Sequence, residues 1–133
     1  MRKLFGTLAI AAAAAGLVVA PSAARERPTG EERLAKLIEG RTAGEPKSCI
    51  YMNSNRNLTV IDKTAVVYRA GKQVWVNRTA NPETLDSDDL MVIRKFSGST
   101  LCRTDSITTA DRMSGMMTGV IFLTDFVPYE KAS

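Results

Sequence analysis

Residues 58–78 carry the clearest pattern of apolar runs and turn-forming positions in the chain. The segment reads LTVIDKTAVVYRAGKQVWVNR, in which runs rich in β-branched and aromatic residues are separated by Asp62-Lys63 and by residues 70–72. Short runs of this composition, bounded by turn residues, are typical of β-strands. The pattern therefore predicts a strand followed by a β-hairpin.

The turn of this hairpin predicts its register. Gly71-Lys72 suits a two-residue type II′ turn, which takes glycine first, and this turn places Tyr68 opposite Trp75. A turn at Ala70-Gly71 would shift the pairs and leave the two faces unchanged. The faces hold Ala65, Val67, Val74 and Val76 on one side and Val66, Tyr68 and Trp75 on the other. Because both are mainly apolar, we expect the hairpin to be covered on both sides, with Tyr68 and Trp75 packed in a core or, alternatively, stacked on a ligand.

A helix is predicted just before this region. Thr29 and Glu32 have the spacing of a capping box, and Gly40 suits the position after the helix end. Leu34, Leu37 and Ile38 form one apolar stripe. We expect this stripe to pack on the protein's own sheet, the alternative being presentation to a partner.

Further short strands are predicted on both sides of the hairpin. They fall at residues 49–52, 90–96, 101–103, 106–109 and 119–123. Pro128 is expected to lead the chain out of the sheet, because proline is excluded from central strands. The fold class predicted is all-β or mainly β, a small barrel or sandwich of about six to eight short antiparallel strands with one N-terminal helix.

Several polar or flexible segments separate these strands. Residues 41–48 contain Gly44 and Pro46 and are expected to form a linker. The loop with Asn53, Asn55, Arg56 and Asn57 has turn chemistry and is a candidate interaction loop. Residues 81–89 form a second polar loop, whose Asp86, Asp88 and Asp89 are more typical of a solvated loop than of a calcium site. Met113, Met116 and Met117 are expected to fill gaps in the core, although methionines also line adaptable binding surfaces.

The N-terminal 24 residues have the three parts of a secretory signal peptide. Arg2 and Lys3 precede an apolar, alanine-rich run at residues 4–20, and small residues follow at Ser22 and Ala24. Cleavage is therefore expected between Ala24 and Arg25, in preference to an uncleaved membrane anchor. The predicted organisation is a signal peptide at 1–24, a helix and linker at 25–48 and a β domain at 49–133. Localisation in the periplasm or secretion follows.

Composition narrows the possible chemistry. The chain has no histidine, which excludes serine–histidine and cysteine–histidine catalysis and HExxH metal sites. The formal charge of +4 includes Arg2 and Lys3 of the signal peptide, so the remaining excess of basic residues is too small to indicate a nucleic-acid surface. No residue pattern identifies a cofactor or a metal.

Cys49 and Cys102 are the two cysteines of the chain. In an exported protein they are best explained as one structural disulfide that joins the strand before the hairpin to the segment after residue 96. A redox-active pair is the alternative, but such pairs normally lie close together in sequence beside a helix N-terminus.

The order of these motifs resembles a group of small exported proteins of unknown function from sphingomonad-type alphaproteobacteria. The matching segments are RLAKLIEGR, SCI, the VIDxTAVVY…GxxVWVNR hairpin, SxxLC and TGVIFLxDFVPY. The resemblance covers nearly all of the chain after the signal peptide. It implies the location and the extent of the domain and no activity.

Three functions are compatible with the sequence. The first is a non-enzymatic envelope module, expected to be monomeric, that binds a protein, glycan or lipid. The second is a small hydrolase inhibitor that uses one of the polar loops. The third is an enzyme that uses carboxylates among Asp86, Asp88, Asp89, Asp105 and Asp111. A deep pocket with paired acids would favour the enzyme, and a flat, exposed apolar patch would favour the binding module.

Cleavage of the signal peptide is directly testable. Protein recovered from the envelope should have the intact mass of a chain that begins at Arg25, because small residues occupy the −3 and −1 positions before it. A full-length chain held in the membrane fraction would contradict this prediction.

Overall fold

The structure is a computed structural model that describes residues 15–19, 26–95 and 98–132. Residues 15–19 have no regular secondary structure, and the cleavage site expected between Ala24 and Arg25 lies outside the described residues. In the described ranges we find no helix with the length and apolar character needed to cross a membrane.

The described residues form one helix and ten strands, together with two single-turn 3-10 helices at Asn55–Asn57 and Pro82–Thr84. The helix α1 spans Gly30–Ile38. The strands are β1 (Arg41–Ala43), β2 (Cys49–Tyr51), β3 (Leu58–Ile61), β4 (Ala65–Ala70), β5 (Gln73–Asn77), β6 (Leu90–Arg94), β7 (Thr100–Cys102), β8 (Ser106–Ala110), β9 (Met117–Phe122) and β10 (Val127–Lys131). This confirms a mainly β fold with one N-terminal helix, although the strands outnumber the six to eight that were predicted.

The strands pair in three antiparallel sheets. The largest has the order β1-β10-β5-β4-β3, the second has the order β6-β8-β9, and β2 pairs with β7. A buried cluster that includes Tyr68, Leu101 and Ile107 takes side chains from all three sheets. The sheets are therefore packed face to face, and among the described residues they do not close into the barrel that was one of the predicted alternatives.

The β4–β5 hairpin has the register predicted from its turn. Tyr68 pairs with Trp75 and Val67 pairs with Val76. Gly71 has φ of 59°, whereas Lys72 has no positive φ, as a type II′ turn requires. The prediction of this turn is confirmed, in preference to the alternative turn one residue earlier.

Both faces of the hairpin are buried, as predicted. Val66 and Tyr68 belong to the cluster between the sheets, and Trp75 packs against it with part of its surface still exposed. On the opposite face, Val67 and Val76 pack with Leu34 of α1 in a second cluster. Trp75 therefore has a packing role, and the helix stripe covers the protein's own sheet.

Local capping explains where α1 begins and ends. The Thr29 side chain accepts a hydrogen bond from the Glu32 backbone N–H at 3.2 Å, and the Glu32 carboxylate accepts one from the Thr29 N–H at 2.9 Å. Gly40, just beyond the C-cap Glu39, has φ of 69°, a conformation that costs glycine little. The capping box and the helix stop are thus both confirmed.

The predicted disulfide joins Cys49 to Cys102. The two residues lie directly opposite each other in the β2–β7 pair. The bond closes a loop with a sequence separation of 53 residues, which in the chain-entropy model stabilises a fold by about 4 kcal/mol. It therefore holds together a pair of strands only three residues long.

Two expectations for the chain ends were wrong. Residues 41–48 were expected to be a linker, but β1 lies within them and pairs with β10. Pro128 was expected outside the sheet, but it lies in β10 between β1 and β5. The Pro128 carbonyl accepts a hydrogen bond from Gly44, beyond the end of β1. In an antiparallel strand, the backbone N and C=O of one residue face the same neighbouring strand. The nitrogen of Pro128, which has no hydrogen to donate, therefore faces the β1 side at a position beyond the last residue of β1.

Asn77 secures the end of the hairpin through its side chain. It is fully buried; its amide donates to the Thr124 carbonyl at 2.7 Å and its oxygen accepts from the Thr124 N–H at 2.9 Å. The side chain thereby makes with the backbone of the β9–β10 connection the pair of hydrogen bonds that a neighbouring strand would make. Nothing in the sequence pattern distinguished this asparagine from those in the loops.

Replacing Asn77 should therefore cost stability. Asn77→Ala leaves the partly buried backbone N–H and C=O of Thr124 without their Asn77 partners, and we expect the free energy of unfolding to fall by about 2–3 kcal/mol. Urea denaturation of the purified protein measures this. The exposed Asn57→Ala is the matched control and should change the value by less than about 0.5 kcal/mol; equal effects of the two changes would contradict the role of Asn77.

Candidate binding surface

The three-stranded sheet β6-β8-β9 has one face in the core and one face in solvent. Met91, Ile93, Ile107 and Ile121 point inward to the cluster between the sheets. The alternate residues of β6 and β8, and Val120 and Phe122 of β9, point outward, because side chains alternate along a strand. A register shift between Thr109 and Ala110 breaks the alternation in β9 and pairs Met117 with the outward Ala110. Strand pairing arranges them in three rows: Leu90-Ala110-Met117, Val92-Thr108-Val120 and Arg94-Ser106-Phe122.

The outward rows are mostly apolar. We call the outward side chains of these three strands, together with Met113 and Met116 of the adjacent turn, the outer face. Its exposed large apolar members are Leu90 at 41%, Val92 at 47%, Phe122 at 57%, Met117 at 70%, Met116 at 71% and Met113 at 94% of full exposure. Monomeric soluble proteins seldom expose apolar side chains in such a contiguous group. The outer face is therefore the candidate functional surface.

The methionine turn at one end of the outer face corrects an expectation. Met113, Met116 and Met117 were predicted to fill the core, but all three are exposed. Asp111 shapes the turn, since its Oδ1 accepts hydrogen bonds from the backbone N–H groups of Met113 and Ser114 at 3.0 and 2.7 Å. Because the turn begins where β8 ends, it carries Met113 and Met116 beyond the sheet, whereas Met117 begins β9 on the solvent face.

The strand β9 also differs from its prediction. The apolar run at residues 119–123, for which a strand was predicted, is of the type found in buried strands, yet in β9 only Ile121 is buried, and Phe122 is exposed. A continuous apolar run does not reveal that one of its two faces is left open. Phe122 and the three exposed methionines, which the pattern favoured as buried, form part of the outer face.

The two edges of the three-stranded sheet are unlike each other. Residues 80 and 81 cover the β9 edge: the Ala80 N–H donates to the Phe122 carbonyl at 2.9 Å, and the Asn81 side chain binds both Val120 and Phe122. On the other edge, β6 has no neighbouring strand among the described residues. One edge is thus protected and the other is open.

A groove runs along the open edge of β6. It has a volume of about 400 Å³ and separates β6 from β3, the edge strand of the large sheet. Leu58 and Val60 line one wall, and Met91 and Ile93 line the other. The groove lies between the edges of the two packed sheets, and the apolar residues that line it belong to the cluster between the sheets or pack against it.

The predicted interaction loop borders this groove only in part. Asn55 lines the groove, and Arg56 and Asn57 are exposed beside it. Asn53 has a structural contact instead: its Oδ1 accepts a hydrogen bond from the buried Tyr68 hydroxyl at 2.8 Å. The loop is thus tied to the core by one asparagine, while its other polar side chains remain available to solvent.

The second polar loop is held by one hydrogen bond within the loop and one from β9. Asp86 Oδ1 accepts from the Asp88 N–H at 2.8 Å, and Asp89 Oδ2 accepts from the Thr118 hydroxyl at 2.7 Å. In the described ranges, no three or more carboxylates or other ligands are grouped so that they could hold a metal ion. The acidic run therefore organises the entry into β6.

The aspartates considered for catalysis have local contacts as well. Asp105 is buried and accepts a hydrogen bond from the Cys102 N–H at 2.8 Å. Asp111 accepts bonds within its own turn, and the backbone N–H of Ser114 is the main cause of its lowered pKa. A general acid needs a raised pKa, so the shift at Asp111 has the opposite sign.

Asp62 links the loop before β6 to α1. Its Oδ1 accepts a hydrogen bond from the Ser87 N–H at 2.6 Å, and its Oδ2 lies 3.3 Å from an Arg33 nitrogen. The Ser87 hydrogen bond is the largest influence and lowers the pKa of Asp62 below its ordinary 3.8, and the Arg33 charge acts in the same direction. An ionised Asp62 therefore fixes the position from which β6 starts.

The chain matches no protein-family model, and neither a curated protein nor a solved structure is significantly similar to it.

The pKa of Asp62 predicts a pH dependence of stability. Since it is lower in the folded protein than the unfolded value of about 3.9, the ionised carboxylate stabilises the fold above that pH, and its contribution is lost as the pH falls through the folded pKa. The melting temperature of Asp62→Asn should lie below that of the wild type at pH 7, and the difference should vanish near pH 2. A difference that stays constant over the titration would contradict the assignment.

Proposed function

We propose that this protein is a non-enzymatic, exported binding module that holds an apolar surface of an envelope protein or lipid on its outer face. One observation supports the proposal above all others, namely the exposure of Leu90, Val92, Met117 and Phe122 together on one face of the three-stranded sheet. The Cys49–Cys102 disulfide is consistent with an oxidising compartment outside the cytoplasm.

The energetics of the outer face favour binding through a few anchors. Full burial of a side chain such as Phe122 or Met117 stabilises a complex by about 1.5–3 kcal/mol. Three or four such side chains can together offset part of the cost of association. Methionine adapts its shape to a partner because its side chain is unbranched and polarizable, so the turn at the end of the sheet suits a partner with an uneven apolar surface.

The same side chains favour a protein or lipid over a glycan. Sugar rings are bound by hydrogen-bonding groups together with exposed aromatic platforms. On the described outer face, Phe122 is the one exposed ring, and Trp75 is packed against the core on another sheet. The glycan among the three ligand classes considered from the sequence thus has the least support.

Variants of the outer face test this function. The double variant Met117→Thr/Phe122→Thr replaces two exposed apolar side chains by a good strand former, and it should keep its melting temperature while losing the partner captured from an envelope extract. Binding should then be repeated with the purified partner, or with vesicles of the native envelope lipids, and should weaken at least about tenfold, which corresponds to 1.4 kcal/mol.

Tyr51→Thr is the matched control for this experiment. Tyr51 is 67% exposed but belongs to the separate β2–β7 pair. Its replacement should leave binding intact. If the control and the double variant weaken binding equally, or if neither does, the outer face is not the site.

A further inference from the structure

The open edge of β6 has a sequence that is complementary to itself. Residues 88–95 read DDLMVIRK, with two acids before the strand and two bases at its end. We propose that β6 pairs antiparallel with β6 of a second copy of this chain about a two-fold axis at Val92. This inference goes beyond the proposed function and extends the sheet that carries the outer face.

The pairing follows from centring the strand on itself. The midpoint of Leu90–Arg94 is Val92, so Val92 lies opposite its own equivalent and Met91 lies opposite Ile93 of the second copy. One residue beyond the strand, Asp89 lies opposite Lys95. The axis repeats this contact, so each dimer contains two opposite-charge pairs, and directly opposed charges of this kind stabilise strand pairing.

The side chains of the charged ends are placed for this contact. Among the described residues, neither Arg94 nor Lys95 forms an ion pair. At the other end, Arg112 Nε donates to the Asp88 carbonyl at 2.6 Å and Thr118 holds Asp89 at 2.7 Å. The acidic end is thereby ordered, while the basic end keeps its charge available.

Among the described residues, the β6 edge has no proline, no bulge and no covering segment, three of the features that usually prevent pairing. Natural sheets protect their edges with proline, bulges, inward charges or a covering segment. The β9 edge is covered by residues 80 and 81, whereas β6 contains no proline and pairs with β8 without a register shift. Two copies joined at this edge satisfy the exposed backbone groups and form a closed, two-fold assembly.

Pairing at this register also buries apolar surface on both faces. Met91 and Ile93 are only partly buried, because they line the groove beside β3. In the dimer, Met91 of each copy would pack beside Ile93 of the other. On the outward side, the Val92 residues of the two copies meet. The outer faces then form one surface on a six-stranded sheet, which differs from the monomer expected from the sequence.

Charge reversal tests the pairing in solution. In sedimentation equilibrium, the exported wild-type protein should dimerise, and Lys95→Asp should raise the dissociation constant about tenfold or more, because it places like charges opposite each other twice. Asp89→Lys should do the same. An equimolar mixture of the two variants should dimerise again, since every contact then joins an acid to a base. Lys72→Asp changes the net charge equally at the exposed β4–β5 turn and should leave the dimer unchanged.

Cross-linking tests the register. Both native cysteines are joined in a disulfide and no free cysteine occurs in the described residues, so Val92→Cys introduces a thiol that should form a disulfide-linked dimer on mild oxidation. Phe122→Cys is similarly exposed but lies on the far strand, and should remain monomeric on a non-reducing gel. A wild-type protein that stays monomeric throughout a dilution series would overturn the proposal, as would efficient cross-linking through position 122 and not through position 92.

Discussion

The burial of the β4–β5 hairpin on both faces is the constraint on which the rest of this structure depends. Alternate residues along each strand point to opposite sides, so Val66 and Tyr68 enter one cluster while Val67 and Val76 enter another. A shift of the register by one residue would exchange the two sets. Helix α1 must therefore cover one side and the smaller sheets must cover the other, which defines the layers of the protein.

The position of the three-stranded sheet depends on polar side chains that substitute for missing strand neighbours. Asn77 holds Thr124 in the connection between β9 and β10, and Asn81 holds the outer edge of β9. Because buried backbone groups need partners, these amides decide which edge of the sheet is closed. The open edge at β6 and the exposed outer face are consequences of the same arrangement.

The candidate surface combines a rigid base with an adaptable end. The rows of the outer face lie on paired strands, whereas Met113 and Met116 lie on a turn shaped by Asp111. A rigid apolar sheet binds with little ordering cost, and a methionine turn adjusts to the partner. If two copies join at β6, the assembly presents two such turns on one continuous sheet, which suits a partner or membrane surface broader than one domain.

The sequence by itself determined the local features of this protein. The capping box of Thr29 and Glu32, the turn at Gly71-Lys72 and the pairing of Tyr68 with Trp75 each depend on neighbouring residues or on the two-residue period of a strand, so the pattern predicted them. The two cysteines allowed one intramolecular connectivity. The capping box and the hairpin were predictable because each depends on residues close together in the sequence and not on the distant segment that covers them.

Only the tertiary structure decided which apolar positions face solvent. In the runs at residues 90–94 and 117–123 nearly every position is apolar or small, so no alternation marks Val92 and Phe122 as exposed or Ile93 and Ile121 as inward. The place of Pro128 in a central strand likewise depends on where β1 ends. Whether a residue is buried depends on whether another segment covers it. For these residues, the segment that could cover them is distant in the sequence, so the local pattern does not reveal whether it does.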